Sequence, residues 1–256
     1  MPVTVATWNV NSVKARLPHL LEWLASALPD VVLLQETKCV NEEFPRLELE
    51  SQGWHLALRG QKTYNGVAIL SRLKILETID RLEGDEGEAR YIEARLENGL
   101  RVASIYVPMG QSTESDRFPF KLGFLDRIHR RGKQLLDGDE PFVLGGDYNV
   151  APEEEDVFDV AAMEGQVLFH PEERRRFRKL LFLGLTDAFR ALNPAPHRYS
   201  WWDYRAGAWQ RDHGLRIDHL LLSPQAADKL EASGIDKAPR GWDKASDHTP
   251  VWCRLS

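Results

Sequence analysis

A chain of 256 residues is long enough to bury a sizeable core, in one large domain or two small ones. With 43% hydrophobic and 28% charged residues and a net charge of -6, it reads as a soluble globular protein and not as a non-specific nucleic-acid binder, which would be basic. Two cysteines, Cys39 and Cys253, give neither a disulfide framework nor a thiolate metal site, and no apolar stretch approaches the length of a membrane span.

The first apolar run, residues 3–8, reads as a strand and ends on Asn9. A strand this early leaves no signal peptide, so a cytoplasmic location is expected. Leu17, Leu20, Leu21, Leu24 and Leu28 then repeat at helical spacing, with Pro18 tolerated in the first turn. A second strand at residues 31–34 runs into Gln35 and Glu36, and a third at residues 102–105 runs into Tyr106. Residues 118–136 read as a helix with Phe124, Leu125 and Ile128 on its apolar side. The run from Pro141 to Gly146 reads as a buried strand closed by two glycines, which are expected to give the backbone room to turn and a ligand room to approach. Asp147-Tyr148-Asn149 follows directly. Residues 172–183 read as a third helix, with acids at its start and Gly184 as its stop. Asp218 lies just before the apolar Leu220-Leu221-Leu222, and Asp247-His248 just before Val251-Trp252. Strands and helices alternate loosely, which is an α/β or α+β pattern, and no linker, repeat or low-complexity segment divides the chain.

Turn chemistry accounts for any one of these polar strand ends. It does not account for an Asn, Glu, Tyr, Asp or His at the edge of each strand-like run, which is how a rigid scaffold assembles a site. Hard cations such as Mg²⁺ take oxygen ligands and keep several waters, so one or two carboxylates suffice. Glu36 is the natural ligand, with Asn9 beside it. Asp147 and Asn149, two apart on an extended chain, share a face and can act on one phosphate or one water. Asp247 next to His248 favours an imidazolium that donates to phosphate oxygen. No nucleophile elbow, Walker loop or dinucleotide fingerprint is present. What remains is metal-assisted attack by water on a phosphoester.

Seven segments in order carry a resemblance: residues 6–11 (ATWNVN), 33–38 (LLQETK), 64–68 (YNGVA), 105–108 (IYVP), 145–149 (GGDYN), 215–218 (LRID) and 246–252 (SDHTPVW). Together they resemble the signature blocks of the exonuclease III family of apurinic/apyrimidinic endonucleases, within a superfamily that includes deoxyribonuclease I, sphingomyelinases and inositol polyphosphate phosphatases. The resemblance implies a four-layered αββα sandwich, two mixed sheets face to face with helices outside, formed by residues 1–256 as one domain. It implies Mg²⁺, or Mn²⁺, held among Asn9, Glu36, Asp147, Asn149, Asp247 and His248. It gives Asp147 the attacking water or the leaving group, Asn149 and Tyr106 a phosphate oxygen, and His248 the scissile phosphate with Asp247 orienting it. Asp218 is implied to support the site through neighbouring polar groups.

The metal core alone would serve a lipid or inositol phosphatase equally well. The aromatic stretch Tyr199-Ser200-Trp201-Trp202-Asp203-Tyr204-Arg205 resembles the segment that walls the pocket for a flipped-out abasic sugar in DNA-cleaving members, with Trp201 as main wall and Leu215 and Ile217 opposite. Such a pocket excludes normal nucleotides, and extrusion costs least where the base is already missing. Taken alone, the stretch also reads as an aromatic core strand. Arg90 and Lys121 are the foremost candidates to touch DNA backbone, among scattered basic residues that include Arg205, Arg211 and Arg216. The expected partner is double-stranded DNA with abasic sites or blocked 3′ ends, acted on by a monomer with no membrane involvement. The competing readings are a superfamily phosphodiesterase acting on RNA, lipid or a small phosphoester, and a non-catalytic DNA-binding module.

Overall fold

The computed structural model describes residues 2–84 and 87–256. Twelve strands among these residues form two six-stranded sheets. The first sheet contains β1 (Val3–Asn9), β2 (Val31–Gln35), β3 (His55–Arg59), β4 (Val67–Ser71), β11 (Leu230–Ile235) and β12 (Val251–Leu255), in the order β11-β12-β1-β2-β4-β3. The second contains β5 (Ile75–Ile79), β6 (Tyr91–Leu96), β7 (Arg101–Tyr106), β8 (Phe142–Asp147), β9 (Thr186–Asp187) and β10 (Asp218–Leu222), in the order β5-β6-β7-β8-β10-β9. The helices are α1 (Leu17–Ala27), α2 (Arg46–Glu50), α3 (Arg117–Leu136), α4 (Val160–Met163), α5 (Pro171–Phe182), α6 (Ala188–Leu192) and α7 (Pro224–Ala227).

Strands buried on both faces read as near-continuous apolar runs, and β2 and β4 are buried from end to end, apolar up to their last residues, Gln35 and Ser71. Val5, Val31, Leu33 and Ile69 of the first sheet pack against Ile92, Val102, Val143 and Leu220 of the second. On the outer face of the first sheet, Leu20, Trp23 and Leu24 of α1 cover Ala6, Trp8, Val32 and Leu34. On the outer face of the second, Phe124, Leu125 and Ile128 of α3 and Phe177 and Leu180 of α5 cover Ile105, Phe142 and Leu144. This is the expected αββα sandwich.

Each sheet has one parallel pair at its centre, β1 with β2 and β7 with β8, and every other pairing is antiparallel. In a parallel pair both C-terminal ends lie at the same edge. Asn9 therefore sits across from Gln35, and Tyr106 across from Asp147. The antiparallel β10 begins at that edge, placing Asp218 opposite Asp147.

The glycines closing β8 do something other than admit a ligand. A Cβ on Gly145 would meet Leu220 and Leu33 side chains at 2.5 Å, so its bareness lets the two sheets close. A Cβ on Gly146 would lie 1.9 Å from the Ile105 carbonyl oxygen, so β8 could not pair with β7. The residue 199–217 region is no core strand: Trp201 makes isolated bridges to Leu215 and to His248, tying this loop to the site.

Candidate active site

At the shared edge, one ligand atom each from Glu36, Asp147 and His248 lies within 4.8 Å of the others. Glu36 follows the last residue of β2 and has a positive φ of 52°, as Asn149 beyond β8 has at 50°. Non-glycine residues in this region are uncommon, and here they turn each side chain out of its strand and towards the edge.

Hydrogen bonds fix the cluster. The Asn9 side-chain amide donates to Glu36 Oε1 at 2.8 Å and to Asp147 Oδ2 at 2.9 Å, while its Oδ1 accepts from the Asn11 amide. Asn9 thus bridges the two carboxylates with its NH₂ group and turns its oxygen away, which differs from the expected role as a metal ligand. Asp147 Oδ1 accepts from the Asn149 amide at 2.9 Å. The Asn149 NH₂ group donates to the Val107 carbonyl at 2.9 Å and to Asp147 Oδ2 at 3.3 Å. Both its donors are engaged, so in this geometry Asn149 positions Asp147, and a phosphate oxygen would have to displace one of those contacts.

His248 Nδ1 donates to Asp218 Oδ2 at 2.9 Å, and Nε2 lies 3.6 Å from Asp147 Oδ2. The group orienting His248 is therefore Asp218, not the adjacent Asp247. Asp247 faces elsewhere, accepting from Asn11 Nδ2 and Trp201 Nε1, each at 3.0 Å. Ser200 completes the support: its hydroxyl donates to Asp218 Oδ2 at 2.6 Å and accepts from the Ile217 and Asp218 amides. Nothing about a lone serine in an aromatic stretch marked this role. Ser246, which opens the 246–252 segment, has a hydroxyl that donates to the Asn9 carbonyl and accepts from the His248 amide, joining the first block of the chain to the last.

Burial and charge set the protonation states. Burial pushes Asp147 up to about 7, with Asp218 adding to the rise and the charge of His248 opposing it. Burial works against charge on His248, but the attraction of Asp218 and Asp147 prevails and pushes its pKa up to about 10. Burial raises Glu36 too, and the Lys38 ammonium 2.8 Å away overcomes it, so Glu36 stays below the usual carboxylate range. Burial and the charges of Glu36 and Asp147 hold the Tyr106 hydroxyl well above its ordinary pKa, so it faces the cluster as a neutral donor.

Two carboxylates and an imidazole converge here, with a third carboxylate behind and like-charge repulsion that lifts Asp147. This donor set fits a hard divalent cation: Glu36 and Asp147 supply hard oxygens, and the small number of protein ligands leaves room for water and substrate.

The expected DNA contacts fare differently. Lys121 is fully buried on α3, pairing with Glu173 of α5 at 2.7 Å and donating to the Asn149 carbonyl at 2.6 Å and the Met109 carbonyl at 3.1 Å. A lysine enclosed in this way offers no charge to a DNA backbone; it ties the Asn149 turn to the helical layer. Arg90 is also buried, ion-paired with Glu88, with its guanidinium 4.6 Å from the Tyr106 ring centroid, so it braces Tyr106. Arg216 is buried between Asp156 and Asp187, and its Nη1 donates to His219 Nδ1. The spacing of these cations along the chain carries no sign of their burial. Trp201 and Leu215 line a cavity of about 430 Å³, while Ile217 is buried and does not reach it.

Comparison with known proteins agrees with this architecture. Residues 6–248 match the endonuclease/exonuclease/phosphatase family model. Exodeoxyribonuclease III of Haemophilus influenzae is 35% identical over 97% of this chain and 98% of its own length. The DNA repair nuclease APEX1 of Danio rerio is 32% identical over 96% of this chain and 80% of its own. Among solved structures, the 3′ phosphatase NExo from Neisseria bound to product DNA hairpin superposes with a TM-score of 0.97 at 36% identity, covering 99% of both chains. An AP endonuclease from Archaeoglobus fulgidus gives 0.95 at 35%, again over 99% of both. With the family model matching residues 6–248 and relatives at 35% identity covered over nearly their whole length, the chain belongs to the exonuclease III branch of the endonuclease/exonuclease/phosphatase family.

Proposed function

We propose that this protein is a Mg²⁺-dependent DNA repair nuclease, a phosphodiester hydrolase that incises the backbone at abasic sites and trims or unblocks 3′ ends of duplex DNA. The observation carrying this reading is the convergence of Glu36, Asp147 and His248 within 4.8 Å, with Asp218 behind the imidazole. Its relatives are named as exodeoxyribonucleases, a repair nuclease, an AP endonuclease and a 3′ phosphatase, and one of them was solved on product DNA.

When bound, the cation polarises the phosphate and lowers the pKa of a coordinated water. Glu36 and Asp147 are the residues that would hold it, with His248 at the boundary. Asp147, whose Oδ2 lies 3.6 Å from His248 Nε2, takes the proton of the attacking water or returns one to the leaving oxygen. His248, charged across the neutral range, donates from Nε2 to a phosphate oxygen and stabilises charge developing there. Asp218 holds the ring in that orientation and supports its charge, and the Tyr106 hydroxyl adds a neutral donor. Among the described residues no helix is long and apolar enough to cross a membrane. We place the protein in the cytoplasm, acting as a monomer in base excision repair.

The test is cleavage of an end-labelled duplex carrying one abasic analogue, with and without Mg²⁺. Metal-dependent cutting at the analogue supports the reading. Intact DNA under every metal, together with turnover of a lipid or inositol phosphate, rejects it.

A further inference from the structure

In a chain whose net charge is -6, four guanidinium groups gather around one small cavity between α3 and the segment that leaves β5. Arg127, Arg130 and Arg131 come from α3, where spacings of three and four residues put them on one helix face, and Arg81 comes from the segment after β5. Like charges at that spacing repel, so the cluster works against the helix that carries it. Two of the four have carboxylate partners. Arg131 forms a fork on Glu93, Nε to Oε2 at 2.9 Å and Nη2 to Oε1 at 2.7 Å, and Arg81 pairs with Asp80. Arg127 is different. Its Nη1 donates to the Gly84 carbonyl at 3.2 Å, but its Nε and Nη2 are buried and meet no acceptor among the described residues. Its guanidinium lies instead against the Phe120 and Phe124 rings, 5.5 and 5.6 Å from their centroids. Arg130 is exposed, and among the described residues it has no carboxylate partner.

The rest of the lining adds donors and few acceptors. Gln134 Oε1 accepts from Arg131 Nη1 at 3.3 Å, which leaves its NH₂ group to donate. Glu83 is the one acid in the lining, and it pairs with none of the three arginines of α3. Leaving a buried N–H of a cation without an acceptor is costly, so this arrangement calls for an anion. The space is about 130 Å³, well below the ~300–1,000 Å³ that encloses an organic ligand, so what it admits is compact. Guanidinium forks match the oxygens of phosphate, and a tetrahedral oxyanion accepts from several directions at once. The cavity is also remote from the hydrolytic cluster. Arg117, at the start of α3, shares Glu88 with Arg90 beside Tyr106. Arg130 lies about 20 Å farther along the same helix.

We propose that this cavity is a second anion site, which binds inorganic phosphate or the terminal phosphate of a small phosphomonoester between Arg127, Arg130 and Gln134. The oxyanion gives Arg127 the acceptors it lacks, offsets the repulsion along α3 and leaves the Arg131–Glu93 fork intact. Binding needs no divalent ion. The site stands apart from the nuclease reading; where that reading holds, both anions are products that hydrolysis at a 3′ end would release.

The test is calorimetric titration of inorganic phosphate into the full chain in the presence of a chelator, so that no metal-held phosphate contributes. One saturable site is expected. Losing a charge-assisted fork should weaken it roughly 10- to 150-fold in Arg127→Gln. Arg130→Gln, at a position too exposed to disturb the fold, should weaken it in the same direction. Metal-dependent DNA cleavage should stay at the native rate in both variants. A second titration uses 2′-deoxyadenosine 5′-monophosphate. A midpoint close to that of inorganic phosphate, lost in the same variants, identifies terminal phosphate groups as ligands; binding of inorganic phosphate alone identifies the free ion. No saturation by about 10 mM phosphate, well above a millimolar Kd, overturns the site. So do equal midpoints for native and both glutamine proteins, or loss of binding in His248→Asn in their place, which would put the phosphate at the hydrolytic cluster. A fall in affinity for a labelled duplex that matches the fall for phosphate would make these arginines a DNA-backbone contact and overturn it as well.

Discussion

Asp218→Asn separates the orienting carboxylate from its sequence neighbour Asp247. The substitution keeps the shape, and the Ser200 hydroxyl still has an oxygen to meet at the position now 2.6 Å away. What it removes is one negative charge, 2.9 Å from an imidazole that is almost fully buried. Breaking a buried charge pair by removing one partner costs about 3–5 kcal/mol, and an isostere that keeps a hydrogen bond retains part of that. A loss of about 3–4 kcal/mol at the transition state corresponds to roughly 10²–10³-fold in rate. The pH profile gives a second reading. The His248 pKa lies at about 10, above the unfolded value of about 6.5. Its charge therefore contributes stability fully present below 6.5 and lost as pH rises through about 10, and activity that needs the imidazolium falls over the same high-pH limb. In the asparagine variant both limbs should move to lower pH. Single-turnover cleavage of a labelled duplex from pH 6 to 10.5, with thermal melts at the same points, measures both. A rate within about threefold of native and an unmoved alkaline limb would refute the Asp218–His248 assignment; a comparable shift from Asp247→Asn would transfer it to Asp247.

Asp147 is held at about 7 without a cation, so below that pH it carries a proton that a metal must displace. Mg²⁺ affinity should weaken by up to about tenfold per unit as pH falls below 7, with proton release visible as buffer-dependent heat in calorimetry; flat affinity between pH 5.5 and 8 contradicts this. Lys121→Met leaves Glu173 buried without its cation, costing about 3–5 kcal/mol of stability by denaturant melts, and the double variant with Glu173→Gln should recover much of it. A single variant as stable as native would mean the ion pair holds nothing. Gly146→Ala drives a Cβ into the Ile105 carbonyl and should prevent folding, checked by far-UV circular dichroism, whereas Ala at the open Gly123 should be tolerated. Asp147→Asn is expected to bind DNA with native affinity while losing about 10²–10⁴-fold in cleavage rate; full activity would remove Asp147 from proton transfer.

Much of this arrangement is legible in the sequence. Apolar runs ending on Asn9, Glu36, Tyr106 and Asp147 mark C-terminal strand ends, and parallel pairing then requires those ends to share an edge. The helical repeats around Leu20, Phe124 and Phe177 report the outer layers because burial on one face leaves a periodic trace. What stays hidden depends on distance in the chain. Adjacency suggests that Asp247 orients His248, but the turn before β12 faces them apart, and Asp218, thirty residues earlier, reaches the ring. Basic residues look alike in one dimension. Only the packing of α3 on α5 shows that Lys121 is enclosed, and only the acids at Asp156 and Asp187 show why Arg216 is. The two glycines of β8 illustrate the same limit, since their missing side chains serve sheet packing that no local pattern encodes.

The central claim is that carboxylates from both sheets and one imidazole surround a single divalent ion. An anomalous difference map from crystals soaked in Mn²⁺ addresses it directly. A peak within bonding distance of the Glu36 carboxylate, bordered by Asp147 and His248 and lost in Glu36→Gln, is the predicted result. A peak elsewhere, or none at a concentration that supports cleavage, would contradict it.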